Sequence, residues 1–182
     1  ASARKLIGEK GIDAVKMREI AMLAGGPISS VYQYFPNKSA ILATLFAQWS
    51  DELESLVEDR LANVADIDGL TAAASDLLDY FYGRVADDPT VLDLLNAAQA
   101  DKALTHLDLA ATRRQAESFC RIGERFIPEV RHEEFRRAVF LMFHLAFGAV
   151  RLAIWEKPVN GCVLADFKAI IRGQLSLFAA PA

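Results

Sequence analysis

The stretch KMREIAMLAGGPISSVYQYFPNK, from Lys16 to Lys38, decides how the chain is read. Met17, Ile20, Ala21 and Leu23 put apolar groups on one side of a short helix and leave Arg18 and Glu19 for water. Gly25 and Gly26 stop that helix, because glycine accepts the positive φ that a sharp helix exit needs. Pro27 has its φ set for a helical start and lacks the amide hydrogen that would be unpaired there, so a second helix begins at Pro27 or Ile28. It runs through Ser29, Ser30, Val31, Tyr32, Gln33, Tyr34 and Phe35 until Pro36, which cannot continue the hydrogen bonding. Val31 and Phe35, one turn apart, share the face that anchors it, while Ser29, Ser30, Gln33 and Tyr34 point elsewhere. Short hydroxyls and an amide approach base edges closely, and tyrosine offers a phenol to phosphate and a ring to a thymine methyl. Asn37 is placed to cap the next helix, and Lys38 to meet a phosphate.

Two helices joined by a glycine turn occur in many all-α proteins, so geometry alone leaves DNA reading as one option among several. The order of the motifs narrows it. Arg18-Glu19-Ile20-Ala21, Ala24-Gly25, Tyr32-Gln33-Tyr34-Phe35 and Pro36-Asn37-Lys38 follow one another without gaps, and in this they resemble the TetR family of transcriptional regulators. The family's pattern is an REIA-type helix, an AG turn, a short recognition helix ending in Y-x-Y-F or Y-x-H-F, then P-x-K. The resemblance implies DNA contacts from Lys16, Met17, Arg18, Ile28, Ser29, Ser30, Tyr32, Gln33, Tyr34 and Lys38. After Ala24-Gly25 the family usually carries an apolar residue, Ser or Thr, then often Lys and Gly; here stand Gly26, Pro27, Ile28 and Ser29. The hydroxyl cap and a basic side chain are therefore replaced, which bears on the bases read rather than on the fold. Family members also begin earlier, with a longer first helix and a basic arm, so residues are expected before Ala1.

The charge distribution agrees with such a headpiece. The 182 residues carry a net charge of −4, but residues 1–49 hold six Lys or Arg against three acids, leaving −7 for the rest. A basic head on an acidic body lets a phosphate backbone orient the molecule head first, and the acidic average excludes a protein that coats nucleic acid. Cys120 and Cys162 are far apart and lack partner ligands, so neither zinc nor a redox pair is expected. Ala1 to Lys10 is charged and amphipathic rather than a signal peptide, and the apolar run Ala138 to Val150 is too short to span a bilayer. A cytoplasmic location follows as an expectation, with no membrane partner.

Beyond the headpiece the spacing is helical throughout. A long fourth helix, 37–64, carries Leu42, Leu45, Phe46, Trp49, Leu53, Leu56 and Val57 on one stripe. Asp68 is expected to cap a fifth helix, and Asp88 followed by Pro89 to open a sixth. A seventh runs over 102–126. The helix 133–155 is apolar nearly all round, with Val139, Met142, Phe143, Ala146 and Val150 on one side and Leu141, Leu145, Gly148 and Leu152 on another. Such a helix needs two partners, and the last helix offers Leu164, Phe167, Ile170, Ile171, Gln174, Leu175 and Phe178. The resemblance implies a homodimer with a four-helix interface, for which Val139, Met142, Ala146, Val150, Phe167, Ile171, Gln174, Leu175 and Phe178 are the candidates. It also places a small-molecule effector in the middle helices. Phe81, Tyr82, Leu95, Gln99, Phe119, Phe143, His144 and Phe147 mix aromatic bulk with polar tips, as ligand sites do, although ordinary core packing explains each of them too.

No nucleophile elbow, phosphate loop or HExxH occurs, and His106, His132 and His144 are scattered, so catalysis and cofactors are not expected. The sequence therefore predicts an all-α chain of about nine helices. A helix-turn-helix DNA-binding headpiece covers 1–47, and a ligand-binding and dimerisation body covers 48–182. The expected function is that of a repressor released from a twofold operator DNA by a small apolar or aromatic effector. The alternative is a small-molecule or protein-binding dimer of the same fold that no longer reads DNA.

Overall fold

The computed structural model describes residues 1–156 and 160–179. As the spacing predicts, the described residues form nine α-helices and no strand. These are α1 (Ser2–Lys10), α2 (Met17–Leu23), α3 (Ile28–Tyr34), α4 (Lys38–Leu61), α5 (Ile67–Asp87), α6 (Pro89–Ala100), α7 (Lys102–Gly123), α8 (His132–Trp155) and α9 (Asn160–Ser176). Contacts group them into two units: residues 1–51 with 85–108, and residues 52–84 with the chain from 109 onward.

The first unit holds the headpiece. Ala3, Leu6, Ile7, Val15, Ile20, Ala21, Ile41, Leu42 and Phe46 are the headpiece's buried apolar residues. Gly25, at φ 73°, lets the chain leave α2, with the Gly25 and Gly26 amides donating to Met22 and Ala21 carbonyls. Pro27 stands just before the first helical residue rather than as it. Leu23, expected to face inward, is 44% exposed, because α2 buries only Ile20 and Ala21. Asn37 caps α4 through the Ala40 amide at 2.9 Å, as predicted.

More than α1 to α4 makes up this unit, for α6 packs on α1. Arg4 meets the Asp88 carboxylate at 2.6 Å, and Asp88 also caps α6 through the Thr90 amide. The Thr90 hydroxyl donates to the Arg4 carbonyl at 3.4 Å, and Ser39 donates to Asp101 at 3.1 Å. Burial pushes the Asp88 carboxyl up, but hydrogen bonds from Arg4 and Thr90 outweigh it and hold the group below the usual aspartate value.

In the second unit α8 and α9 pack as a pair. Phe135 meets Phe178 edge to face at 5.2 Å, and Val57, Leu70, Phe119, Val139, Val150 and Leu175 are almost wholly buried. Asp66, rather than Asp68, caps α5 through the Gly69 amide at 2.7 Å. Gly123 ends α7 where a Cβ would lie 2.5 Å from the Phe135 ring and 2.9 Å from Leu70. Glu124 then anchors the elbow into α8, accepting from Arg136 at 2.5 and 3.0 Å.

The two sides of α8 differ in burial. Val139 and Val150, with Phe167, Ile171 and Leu175 of α9 and Phe178 just beyond it, are buried within the chain itself. Fully buried side chains have no surface left to offer a second subunit. Met142, Ala146 and Gln174 are half-buried beside them. The opposite side stays open: Leu141, Leu145, Leu152 and Trp155 are 48–71% exposed, as are Ile170 of α9 and Leu177 just beyond it at 61% and 59%.

Candidate nucleic-acid interface

α3 is a short helix held from one side. None of its residues is fully buried, and Val31 and Phe35 are the half-buried anchors against the unit. Packed that way, it turns Ser29, Tyr32 and Gln33 outward, with Ile28 41%, Tyr32 48% and Tyr34 79% exposed. Neither the Ser29 hydroxyl, the Gln33 amide nor either phenol has a hydrogen-bond partner among the described residues. A surface of unengaged donors and acceptors beside two tyrosine rings is suited to base edges and phosphates. Ser30 is half-buried on the flank of this row.

Lys16 and Arg18 are exposed at the start of α2, while Met17 is half-buried against the unit. Glu19, read as a solvated acid, instead does two jobs. One carboxylate oxygen accepts from the Lys10 ammonium at 2.7 Å and the other from the Lys16 amide at 3.1 Å, closing the first turn of α2. These two bonds, Lys10 first, hold its carboxyl below the usual glutamate value. Lys38 has a partner within the chain. Its ammonium donates to the Ile12 carbonyl at 2.9 Å and ties the start of α4 to the α1–α2 connection. An ammonium carries three donors, so this bond fixes the group without using it up.

The residues predicted to meet a ligand are divided. Leu95 (buried) and Gln99 (exposed) lie on α6 in the first unit, and the other six lie in the second. Of these, Phe119 and Phe143 meet edge to face at 5.6 Å. His144 is exposed and stacks on Phe140 at 6.3 Å, which itself lies under Arg113 at 4.9 Å. Phe147 carries the Arg151 guanidinium at 5.7 Å, and Phe81 and Tyr82 are half-buried. A cleft of about 250 Å³ between the start of α5 and the end of α9, lined by Ile67, Thr71, Ser75, Arg172 and Ser176 among others, contains none of them. The described residues hold no cluster of three or more His, Cys, Asp or Glu side chains placed to share a metal ion.

Sequence reasoning missed Lys10, Glu19, Asp88 and Asp101 as supports of this interface. Lys10 and Glu19 sit in different helices, so no local spacing links them. Asp88 was legible as a cap, but its pairing with Arg4 is a tertiary contact.

The sequence matches the profile described as bacterial regulatory proteins, tetR family, over residues 1–45, and the tetracycline repressor-like C-terminal domain over residues 68–179. No curated protein matches the sequence. Among solved structures, a transcriptional regulator of Streptomyces coelicolor A3(2) is 19% identical, with a TM-score of 0.74 over 99% of this chain and 95% of its own. A TetR-family regulator of Pectobacterium atrosepticum is 16% identical, with a TM-score of 0.70 over 99% and 91%. FadR of Bacillus subtilis, solved in complex with stearoyl-CoA, is 18% identical, with a TM-score of 0.62 over 98% and 95%. With the tetR-family profile over α1–α3 and the start of α4, and the repressor-like C-terminal profile over residues 68–179, the chain belongs to the TetR family of bacterial transcriptional regulators.

Proposed function

We propose that this regulator is a repressor: a homodimer that holds two α3 helices against a twofold operator and leaves it when a small apolar or aromatic effector enters residues 48–182. The observation that carries DNA reading is the outward row Ser29, Tyr32, Gln33 and Tyr34, exposed and without partners inside the chain. Residues 1–47 are the DNA-binding segment in this reading, with Lys16 and Arg18 as phosphate contacts and Ile28 packing on a thymine methyl. Asp88, Thr90 and Asp101 hold α1 and α4 in register beneath them.

The dimer uses the open side of α8. Leu141, Leu145, Gly148, Leu152 and Trp155 recur in alternating steps of four and three, the spacing of a helix-packing seam. A row of half-exposed leucines ending in an exposed tryptophan is a surface that a soluble monomer rarely leaves uncovered. Helix α8 is long and apolar enough to cross a membrane by length and composition, with only 17% of that stretch buried in the chain; we read its open side as covered by the second subunit of a cytoplasmic protein, a reading supported by the family match rather than by the helix itself. Effector binding acts through α4, whose first residues belong to one unit and last residues to the other. A typical coupling of about 1 to 3 kcal/mol lowers operator affinity roughly 5- to 150-fold.

Footprinting on the protein's own upstream promoter tests this reading. Protection of two half-sites about one helical turn apart, lost as effector is added, is expected. Protection that ignores sequence instead favours the helical dimer that has lost DNA reading, a reading for which the replaced cap at Pro27 speaks.

A further inference from the structure

Helices α5 and α9 of the second unit run in opposite directions past each other, and the pairing of their charges stops partway. Lys168 of α9 meets Asp79 of α5 at 2.5 Å. One turn further on, four residues later in α9 and four earlier in α5, Arg172 comes level with Ser75 instead of an acid. There lies the cleft of about 250 Å³, with Asp68, Thr71 and Ser75 on one wall and Arg172 and Ser176 on the other. Asp76, the next acid on α5, is turned to Arg60 of α4 at 3.7 Å. Arg172 and Asp68 are both exposed, and neither has a hydrogen bond or ion pair among the described residues.

The hydroxyls give the cleft a direction. Thr71 donates to the Ile67 carbonyl at 2.8 Å, Ser75 to the Thr71 carbonyl at 3.0 Å and Ser176 to the Gly173 carbonyl at 2.8 Å. Each has its one hydrogen engaged on its own helix and presents only lone pairs to the cleft. Side-chain donors therefore stand at one place, the Arg172 guanidinium, and acceptors along the rest, ending on the Asp68 carboxylate. Asp68 precedes Ser75 by two helical turns, about 10 Å along the axis, so the two charges mark opposite ends.

We infer that this cleft binds a small unbranched zwitterion, with its carboxylate on the Arg172 fork and its ammonium among the hydroxyl oxygens and Asp68. A guanidinium matches a carboxylate bidentately, and an ammonium carries three donors and no acceptor. A dicarboxylate would set like charge against Asp68, and a diamine against Arg172. Water hydrates both groups in an open cleft, so a ligand meeting one charge gains little, whereas one that spans the cleft makes the second contact at no further loss of freedom. The volume is below that of a drug-sized pocket, which limits the ligand to a few methylenes between its charged ends. The cleft contains none of the residues proposed to meet the effector, so this site stands apart from that proposal.

Equilibrium dialysis of the intact protein at low salt with three probes of one chain length tests this: 6-aminohexanoate, hexanoate and hexylamine. 6-Aminohexanoate is expected to saturate one site per chain, about tenfold tighter than either singly charged probe. Arg172→Gln should bring it to within about twofold of hexylamine, and Asp68→Asn to within about twofold of hexanoate. Both residues are exposed, so the variants keep the fold, which circular dichroism checks. Arg113→Gln, at an exposed cation on α7 outside the cleft, should leave binding unchanged. The inference is overturned if hexanoate or hexylamine binds as tightly as 6-aminohexanoate, if either Arg172→Gln or Asp68→Asn leaves the affinity unchanged, or if none of the three probes binds.

Discussion

Changing Leu152 to glutamate separates the two sides of α8 most sharply. Leu152 is 51% exposed in the chain. Covering the exposed half of a leucine is worth about 1 kcal/mol, since burying a whole one is worth roughly 1.5 to 3. A twofold interface contains the residue twice, so losing it costs about 2 kcal/mol. Stranding two carboxylates in an apolar contact costs about as much again or more. A total near 4 kcal/mol is roughly a thousandfold in the dimer dissociation constant. Sedimentation equilibrium should therefore show L152E as a monomer where the parent is a dimer, with an unchanged helical circular dichroism spectrum. Trp155, 71% exposed in the chain, should shift its emission to the blue as the parent associates and not in the variant. V130E, at a residue 91% exposed and outside the seam, should leave association unchanged. V139E, at a residue with no exposed surface, should instead unfold the second unit. An L152E protein that dimerises as tightly as its parent would refute the assignment of the seam.

Other outcomes follow from the packing. Gly123→Ala should destabilise the fold by about 2 kcal/mol, because its Cβ meets the Phe135 ring, whereas Gly83→Ala, with open space around it, should stabilise α5 by up to about 1 kcal/mol; paired thermal melts read the difference in sign. Arg4→Ala should cost less in acid. Asp88 titrates below its ordinary value of 3.8 when folded, so the stability it contributes is present above that value and disappears as the pH falls through the lowered one. Urea midpoints of parent and R4A should then differ more at neutral pH than in acid. Burial pushes the Cys120 thiol up to about 12, so a thiol reagent at neutral pH should label it only after denaturation.

Much of this was legible along the chain, and the illegible part has a common cause. Asp88-Pro89, Asn37 and Gly25 are local signals, each deciding its own turn through one or two hydrogen bonds, and the structure uses them as read. The sides of α8 were harder. A helix apolar all round gives no preference by pattern, and the choice between Val139 and Leu141 for the core rests on how α9 packs. Lys38 shows the same limit: its position beside α3 was readable, its bond to the Ile12 carbonyl was not.

The central claim is that α3 reads a sequence through Gln33 and Tyr34. Titrating the protein against its own upstream promoter and against a scrambled duplex of the same composition, over a range of salt, tests it most directly. The account predicts a steep salt dependence on both duplexes and a clear preference for the promoter. Gln33→Ala should reduce that preference by about 1 to 3 kcal/mol per half-site while leaving scrambled binding unchanged. Equal affinity for the two duplexes, or a preference untouched by both Gln33→Ala and Tyr34→Ala, would contradict it.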